Sequence, residues 1–423
     1  MTTLVLGAGL AGLAAAERLG AAGEPTILLE ARDRVGGRVL THRDPAVAGP
    51  LELGAEWLDP GGLVQHLFPP DDRDLLEATG RRWRRDRHGL VEVEQLYDRG
   101  LFRRLRRLSR PDRPVARALA SCCGGAQWNA ARAELLQYLQ GFHAADPSRL
   151  SLRWLAEVEK TQSADVSTAR SSAGADRIAA ALLPNHSAVE LQLGALVREV
   201  RWKRGSVRVV LQRAGRRELL TAERAVVTLP LSLLQQSRGG VRFVPRLDSK
   251  LPALGRLAMG QVVKVLLAFD RPFWREIGPF EDLLMLQRFD QPFPTWWTMR
   301  PGPAALLAGW VGGPLVRRVR GKRTGGLLDL ALRSLAAALD IPKSRVEERL
   351  LSWHHHDWSA DPFSRGAYSY VLSGGSQAWQ VLARPVERTL YFAGEATASH
   401  GFNATVEGAI ASGRRAAREI LGD

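Results

Sequence analysis

Cysteine is nearly absent: only Cys122 and Cys123 occur among 423 residues, and they are adjacent. Neighbouring residues are poorly placed to bridge one another, so no disulfide framework staples this chain. Two ordinary thiols fit a reducing cytoplasm. Long apolar runs are missing too. No stretch reaches the roughly 18–20 residues that span a bilayer, so no transmembrane anchor is expected. The opening Met1-Thr2-Thr3 runs straight into strand-like sequence, without the basic region or cleavage site of a secretory signal. Internal repeats and long low-complexity linkers are absent as well; the Ser/Ala-rich stretch Ser163–Ala175 reads as a crossing between domains. Lysine is scarce: of 59 basic residues six are Lys and the rest Arg.

What is present describes a folded protein. Apolar residues make up 45% and charged residues 24%, the proportions of a globular chain. At 423 residues, one ordinary core does not suffice, and two domains are expected. The formal net charge is +15, with arginine concentrated in Arg81–Arg87 and Leu101–Arg117. Such clusters can form an anion-binding face for nucleic acid or acidic lipid. No nucleic-acid motif accompanies them, so a solvated helix face is the reading adopted and nucleic acid is not an expected partner.

The densest information lies at the N-terminus. Thr3-Leu4-Val5-Leu6 reads as a buried strand, followed at once by Gly7-Ala8-Gly9-Leu10-Ala11-Gly12. Leu10, Leu13, Ala14 and Leu19 mark one face of a helix ending near Gly23. Thr26-Ile27-Leu28-Leu29 is the next strand, with Glu30 at its end, 18 residues after Gly12. This is a complete dinucleotide unit. The glycines give a tight turn, close approach of a pyrophosphate and close helix–strand packing; the helix N-terminus offers free N–H groups; the acid takes the ribose hydroxyls. It does not separate NAD from FAD.

The continuation Glu30-Ala31-Arg32-Asp33-Arg34-Val35-Gly36-Gly37-Arg38 adds a glycine pair and an arginine able to grip a diphosphate at two points. With this segment the sequence resembles the flavin amine oxidase superfamily: monoamine oxidases, polyamine oxidases, lysine-specific histone demethylases and bacterial L-amino-acid oxidases. The resemblance implies FAD. It continues through Leu53-Gly54-Ala55-Glu56-Trp57, where family members wrap backbone around the flavin, and through Arg388–Ala393, read as a strand. Gly394-Glu395-Ala396-Thr397 then forms the turn that the family sets against the flavin's ribityl and pyrophosphate portion. Ala404–Leu421 reads as a helix whose start, Ala404-Thr405-Val406, would lie by the isoalloxazine ring. Between these ends, Val197 leads into alternating strands and is either plain sheet core or, by the resemblance, an adenine contact; Thr228-Leu229-Pro230 would lie near the flavin.

Two constellations carry the chemistry. The strand Gly260–Phe269 is apolar except for Lys264. A buried ammonium demands a partner or a depressed pKa; an edge position or snorkelling is the plainer alternative. Met259–Trp274 resembles the family strand whose lysine holds a water beside flavin N5 and supports the reaction with oxygen. Trp358 and Tyr368 match, in type and ten-residue spacing, the family's flavin-adjacent tryptophan and the aromatic wall of the amine site. Two departures matter. Ala367 stands where monoamine oxidases carry the cysteine bonded to flavin, so the FAD is expected to be non-covalent. Thr405 stands where they carry a second cage tyrosine. Asp59, two residues beyond Trp57, is either a turn residue before proline or, as in some polyamine oxidases, an anchor for a distal ammonium. His354-His355-His356 alternate sides on a strand, so no metal site is expected.

The expected fold is α/β: a Rossmann-type FAD-binding domain built from residues 1–60, 175–240 and 380–423, and an α+β substrate domain with a mixed sheet from 61–174 and 241–379. The resemblance is weak across 61–174. The expected function is FAD-dependent oxidation of a small-molecule amine by hydride transfer to flavin N5, with molecular oxygen as acceptor and imine and hydrogen peroxide as products; Lys264, Tyr368 and Thr405 are the expected catalytic set. Rival readings are an L-amino-acid oxidase, a non-amine flavin desaturase or dehydrogenase, and a flavin-binding nucleic-acid or chromatin partner.

Overall fold

The computed structural model of the chain describes residues 1–59, 62–69, 72, 74–161, 168–235, 239–300, 305–399 and 401–423. Its centre is a five-stranded, wholly parallel sheet in the order Leu390–Phe392, Arg224–Val227, Thr3–Leu6, Thr26–Leu29, Val189–Gln192. A parallel sheet must be covered on both faces, and the strand sequences meet that need by alternation. Val5, Leu28, Val226 and Tyr391 pack against the helices Leu10–Ala21 and Val406–Leu421. Leu4, Leu6, Leu29, Ala225, Val227, Leu390 and Phe392 face the other way, onto Val200, Val207, Val209 and Leu211 of a second sheet. That sheet has four strands in the order Arg216–Ala222, Ser206–Arg213, Leu196–Lys203, Arg242–Val244.

A third, seven-stranded sheet runs Leu350–Asp357, Val262–Phe269, Leu306–Gly312, Thr295–Thr298, Leu283–Gln287, Arg81–Asp86, Gly89–Glu92. It is mixed: Leu283–Gln287 pairs with Arg81–Asp86 in parallel, and the other pairings are antiparallel. Every residue of Val262–Phe269 is buried. Val263, Val265, Leu267 and Phe269 face the helix Thr324–Leu339. Leu266 and Ala268 face Leu51, Leu53 and Trp297. Lys264, two residues from Leu266, therefore shares the second face.

Some sequence expectations are corrected. Arg81–Arg87 is not a helix face: Arg81–Asp86 is a strand. Trp83 on its inner face meets Phe280, and Arg85, two residues on, reaches the Ala338 carbonyl and Asp340 at the end of the long helix. A run of charge hides the period-two pattern that would have announced a strand. The second cluster does hold a solvated helix face: in Arg99–Arg106, Leu101, Phe102 and Leu105 are buried while Arg103, Arg104 and Arg106 are exposed. The stretch Ser163–Ala175 lies in part outside the described residues; Ala169–Ser171 pairs with Leu75–Glu77. The last helix begins at Val406, not Ala404, because Ala404 takes a left-handed φ of 68° and Thr405 serves as the cap.

The helices Leu10–Ala21 and Val406–Leu421 meet with almost no gap. A Cβ on Gly413 would sit 2.1 Å from the carbonyl oxygen of Ala11. That neighbour is backbone, so the helices would have to part. Gly413→Ala should therefore lower the melting temperature, by the equivalent of about 1–3 kcal/mol. Thermal unfolding of the two proteins checks this, and equal melting temperatures would show that the interface yields without cost.

Candidate functional site

A cavity opens where the parallel strands end. It encloses about 1110 Å³ of open space, part of it continuous with solvent. Gly7, Gly9, Leu10, Ala11, Glu30, Ala31, Arg32, Gly36, Gly37 and Arg38 line it. Thr228, Gly394, Glu395, Ala404, Thr405, Val406 and Val197 line it too. Sequence positions almost 400 residues apart thus share one cavity.

The N-terminal turn is tightly specified. Gly7 has a φ of +109°, and a Cβ on Gly12 would lie 1.8 Å from the Gly7 carbonyl oxygen. The Thr228 hydroxyl lies 2.8 and 2.9 Å from the carbonyl oxygens of Leu6 and Gly7 and ties the neighbouring strand to this turn. The helix starting at Leu10 has no side-chain cap, so its first N–H groups are open to an anion. The buried Glu30 carboxylate braces the loop, accepting from the Ala8 N–H at 2.8 Å and the Arg32 N–H at 2.9 Å. Ala8 is fully buried behind the turn. These features fit a nucleotide diphosphate over the helix start and a ribose beside Glu30.

Other charges are already in use. Arg38 donates to Glu395 at 2.8 Å and to the Ala367 carbonyl at 2.7 Å. Glu395 also accepts from the Ser369 N–H and hydroxyl. The Arg32 guanidinium turns to Asp361 at 2.7 Å and Ser364 at 3.0 Å. Sequence reasoning missed Phe363, Ser364, Leu233 and Val241, which line the cavity, and Arg34, which holds the glycine loop through the carbonyls of Val35, Gly37 and Val39. Phe363, Ser364 and Val241, like Ala367 and Tyr368 beside them, come from the stretch 241–379. Only the arginine run around Arg34 hinted at any of these.

Tyr368 and Thr405 are also in the lining. The Tyr368 hydroxyl donates to the Phe142 carbonyl at 2.7 Å, and burial, then Glu395, pushes its pKa above the ordinary tyrosine value. The Thr405 hydroxyl caps its helix, accepting from the Gly408 N–H and donating to the Phe402 carbonyl, both at 2.9 Å. Trp358 does not line the cavity; its indole N–H donates to the Leu53 carbonyl at 3.0 Å, and it packs with Ala367 and Tyr368 behind the wall.

Lys264, Gly54, Glu56 and Trp57 also lie behind the lining, next to Ala55, which belongs to it. Lys264 Nζ is 2.6 Å from Glu56 Oε1 and 3.3 Å from the Gly54 carbonyl. The Asp59 N–H donates to Glu407 at 2.9 Å, whereas Pro60 and Gly61 of the same turn lie outside the described residues. His354 is paired with Asp44 and His356 with Asp361, two separate carboxylates. No helix among the described residues is long and apolar enough to cross a membrane.

Comparison with known proteins agrees with this geometry. The pattern defining the family described as "Flavin containing amine oxidoreductase" matches residues 10–69 and 84–421. The chain is 26% identical over 470 residues to human Lysine-specific histone demethylase 2, covering 99% of this chain and 53% of that protein. It is 28% identical over 470 residues to Lysine-specific histone demethylase 1 homolog 3 of Oryza sativa subsp. japonica, covering 99% and 54%. The chain thus spans about half the length of the curated relatives it matches. Among solved structures, putrescine oxidase bound to putrescine superposes with a TM-score of 0.80 at 21% identity, covering 100% of both chains. Cyclohexylamine oxidase from Brevibacterium oxydans IH-35A gives 0.80 at 20% identity, covering 100% and 98%. At those identities the likeness shows a shared fold.

One carboxylate near the lysine has a testable titration. Burial pushes Glu52 up to about 7 from 4.5, against the pull of the Ala175 N–H, the Thr41 hydroxyl and Lys264. A carboxyl whose folded value is raised stabilises the fold while protonated, and that contribution fades as pH climbs from 4.5 through about 7. Glu52→Gln stays neutral and escapes the loss. Its melting temperature should gain on the wild type between about pH 5 and about pH 8; a gap that does not change with pH would place the titration elsewhere.

Proposed function

Because the chain belongs to the flavin containing amine oxidoreductase family, we propose that it oxidises an amine with non-covalently held FAD and passes the electrons to oxygen. The observation that carries this reading is one cavity lined both by the open helix start and Glu30 and by Tyr368 and Thr405. When bound, FAD supplies the redox chemistry, taking a hydride from the carbon that bears the nitrogen and returning two electrons to oxygen. The net change converts amine, oxygen and water to carbonyl compound, ammonia or a smaller amine, and hydrogen peroxide.

The chain's own residues bind, orient and exclude water. Glu30 would take the adenosine ribose, the N–H groups of Leu10, Ala11 and Gly12 the diphosphate, and Val197 the adenine edge. Arg38 would add charge to the diphosphate while Glu395 keeps it in place. Gly36, Gly37, Thr228 and the Gly394 turn would hold the middle of the cofactor. Tyr368, tethered through its hydroxyl, presents a fixed wall for the amine, with Thr405 leaving more room across from it than a second aromatic would. A protonated amine lacks the lone pair that assists hydride loss, so an enclosed site that favours the neutral amine serves the reaction. Lys264 would act from behind the Gly54–Ala55 segment as the cation that assists the reaction with oxygen. The relatives are named for histone demethylation, and the fold neighbours for putrescine and cyclohexylamine; those names span several amine classes, so the reading stays at the class of amine.

Ala367 offers no thiol for a covalent bond to the cofactor. Acid precipitation of the holoprotein should leave yellow flavin in the supernatant; flavin that stays with the pellet would contradict this. The reaction itself is tested by supplying the holoprotein with monoamines, diamines and amino acids and following peroxide. At least one amine should give turnover, and Lys264→Met should retain flavin yet slow re-oxidation by oxygen at least about tenfold, or about 1.4 kcal/mol. Peroxide from no amine would sink the proposal, and an unchanged re-oxidation rate would make the lysine structural.

A further inference from the structure

Lys264 and Glu56 are as deeply enclosed as any charged groups here, with side chains 1% and 2% exposed. They lie 208 residues apart in sequence. A lysine has a flexible four-carbon stem, so in an apolar strand something else must fix where its nitrogen sits. The carboxylate is itself held. Its Oε1 accepts from the Trp297 indole N–H at 3.0 Å as well as from Lys264. Arg170 Nε lies 3.6 Å from Oε2, and its guanidinium rests 3.7 Å above the Trp57 ring while donating to the Thr298 carbonyl. Two other segments, the strands bearing Trp297 and Arg170, therefore hold the acid, and the lysine follows it.

We propose that Glu56 is a positioning residue for Lys264, fixing the ammonium so that one N–H stays free for the reaction with oxygen. This rests on the role proposed for Lys264 above. An ammonium has three donors. Glu56 takes one at 2.6 Å and the Gly54 carbonyl a second at 3.3 Å, which leaves the third. The arrangement also keeps the ammonium's field from being cancelled. One carboxylate is shared between two cations, Lys264 and Arg170, immediately behind Ala55, a residue of the cavity wall, and Glu52, the next acid, carries its full charge only above about pH 7. Oε2 of Glu56 makes no hydrogen bond, and neither do Nε and Nη2 of Arg170. The geometry at Oε1, by contrast, is saturated, and Oε1 is the atom that meets the lysine.

The test uses holoprotein of four variants, Glu56→Gln, Glu56→Asp, Lys264→Met and the double variant Glu56→Gln/Lys264→Met. Each is reduced anaerobically with a turnover amine and mixed with oxygen in a stopped-flow instrument. Glu56→Gln should slow re-oxidation at least about tenfold, toward the Lys264→Met rate, while reduction by amine slows far less. Glu56→Asp, which keeps the charge but withdraws it, should fall in between. In the Lys264→Met background Glu56→Gln should add nothing, because there is no ammonium left to place. Thermal unfolding gives a readout independent of turnover: Glu56→Gln should lower the melting temperature, and adding Lys264→Met should restore part of it, since the stranded buried cation is gone. If Glu56→Gln yields no holoprotein, Glu56→Asp and the double variant carry the test. Re-oxidation at the wild-type rate in Glu56→Gln or Glu56→Asp, with Lys264→Met slow, overturns the inference alone. A wild-type rate in Lys264→Met overturns the reading beneath it as well.

Discussion

Parallel strands all end on the same edge of their sheet, and the cavity is a consequence of that constraint. Gly7 follows Leu6, Glu30 follows Leu29, Thr228 follows Val227, and Gly394 comes two residues after Phe392. Each of these residues is the first or second past a strand, so four segments scattered from one end of the chain to the other deliver their turns to one line. Open parallel sheets bind ligands at this edge for the same reason. The hydrogen-bond partners follow from it. The Glu30 carboxylate can brace the Ala8 N–H because the two loops leave neighbouring strands at the same level, and the Thr228 hydroxyl can reach the carbonyls of Leu6 and Gly7 from the other side.

The second centre of gravity is a buried charge. A lone ammonium in the middle of Val262–Phe269 would be costly in that surrounding. Glu56 offsets the cost, yet a buried ion pair is seldom a net source of stability, because both groups give up water. A hydrophobic pair would serve packing as well. Retaining the ions makes sense where the ammonium is needed for chemistry, which is how its place behind the Gly54–Ala55 wall is read above. Burial likewise raises Glu52 nearby to about 7, even though the Thr41 hydroxyl and the Ala175 N–H donate to it.

Much of the local plan was readable from the chain. Thr3–Leu6, the helix from Leu10, Thr26–Leu29 and the terminal acid announce themselves through alternation, helical spacing and glycine placement, all within 30 residues. The Gly394 turn and the strand bearing Lys264 were equally plain. Arg81–Asp86 was not, because five charges in six residues leave no apolar alternation to read. Nor was the start of the last helix, where Ala404, itself a good helix former, takes left-handed backbone instead.

What the sequence determined by itself are features set by neighbours along the chain: which residues can turn, cap a helix or bury one face of a strand. It also set the inventory of chemistry, down to one lysine in an apolar strand and alanine in place of a cysteine before Tyr368. Only the tertiary structure decided partnership. Lys264 with Glu56, Arg38 with Glu395, Arg32 with Asp361, and Phe363 and Ser364 at the cavity wall join positions 208, 357, 329 and more than 300 residues apart. A charged side chain is chemically free to pair with any of the 44 acids or 59 bases in this chain. Burial removes water as a competing partner, and the packing of the sheets then leaves each ion the neighbour that lies within reach.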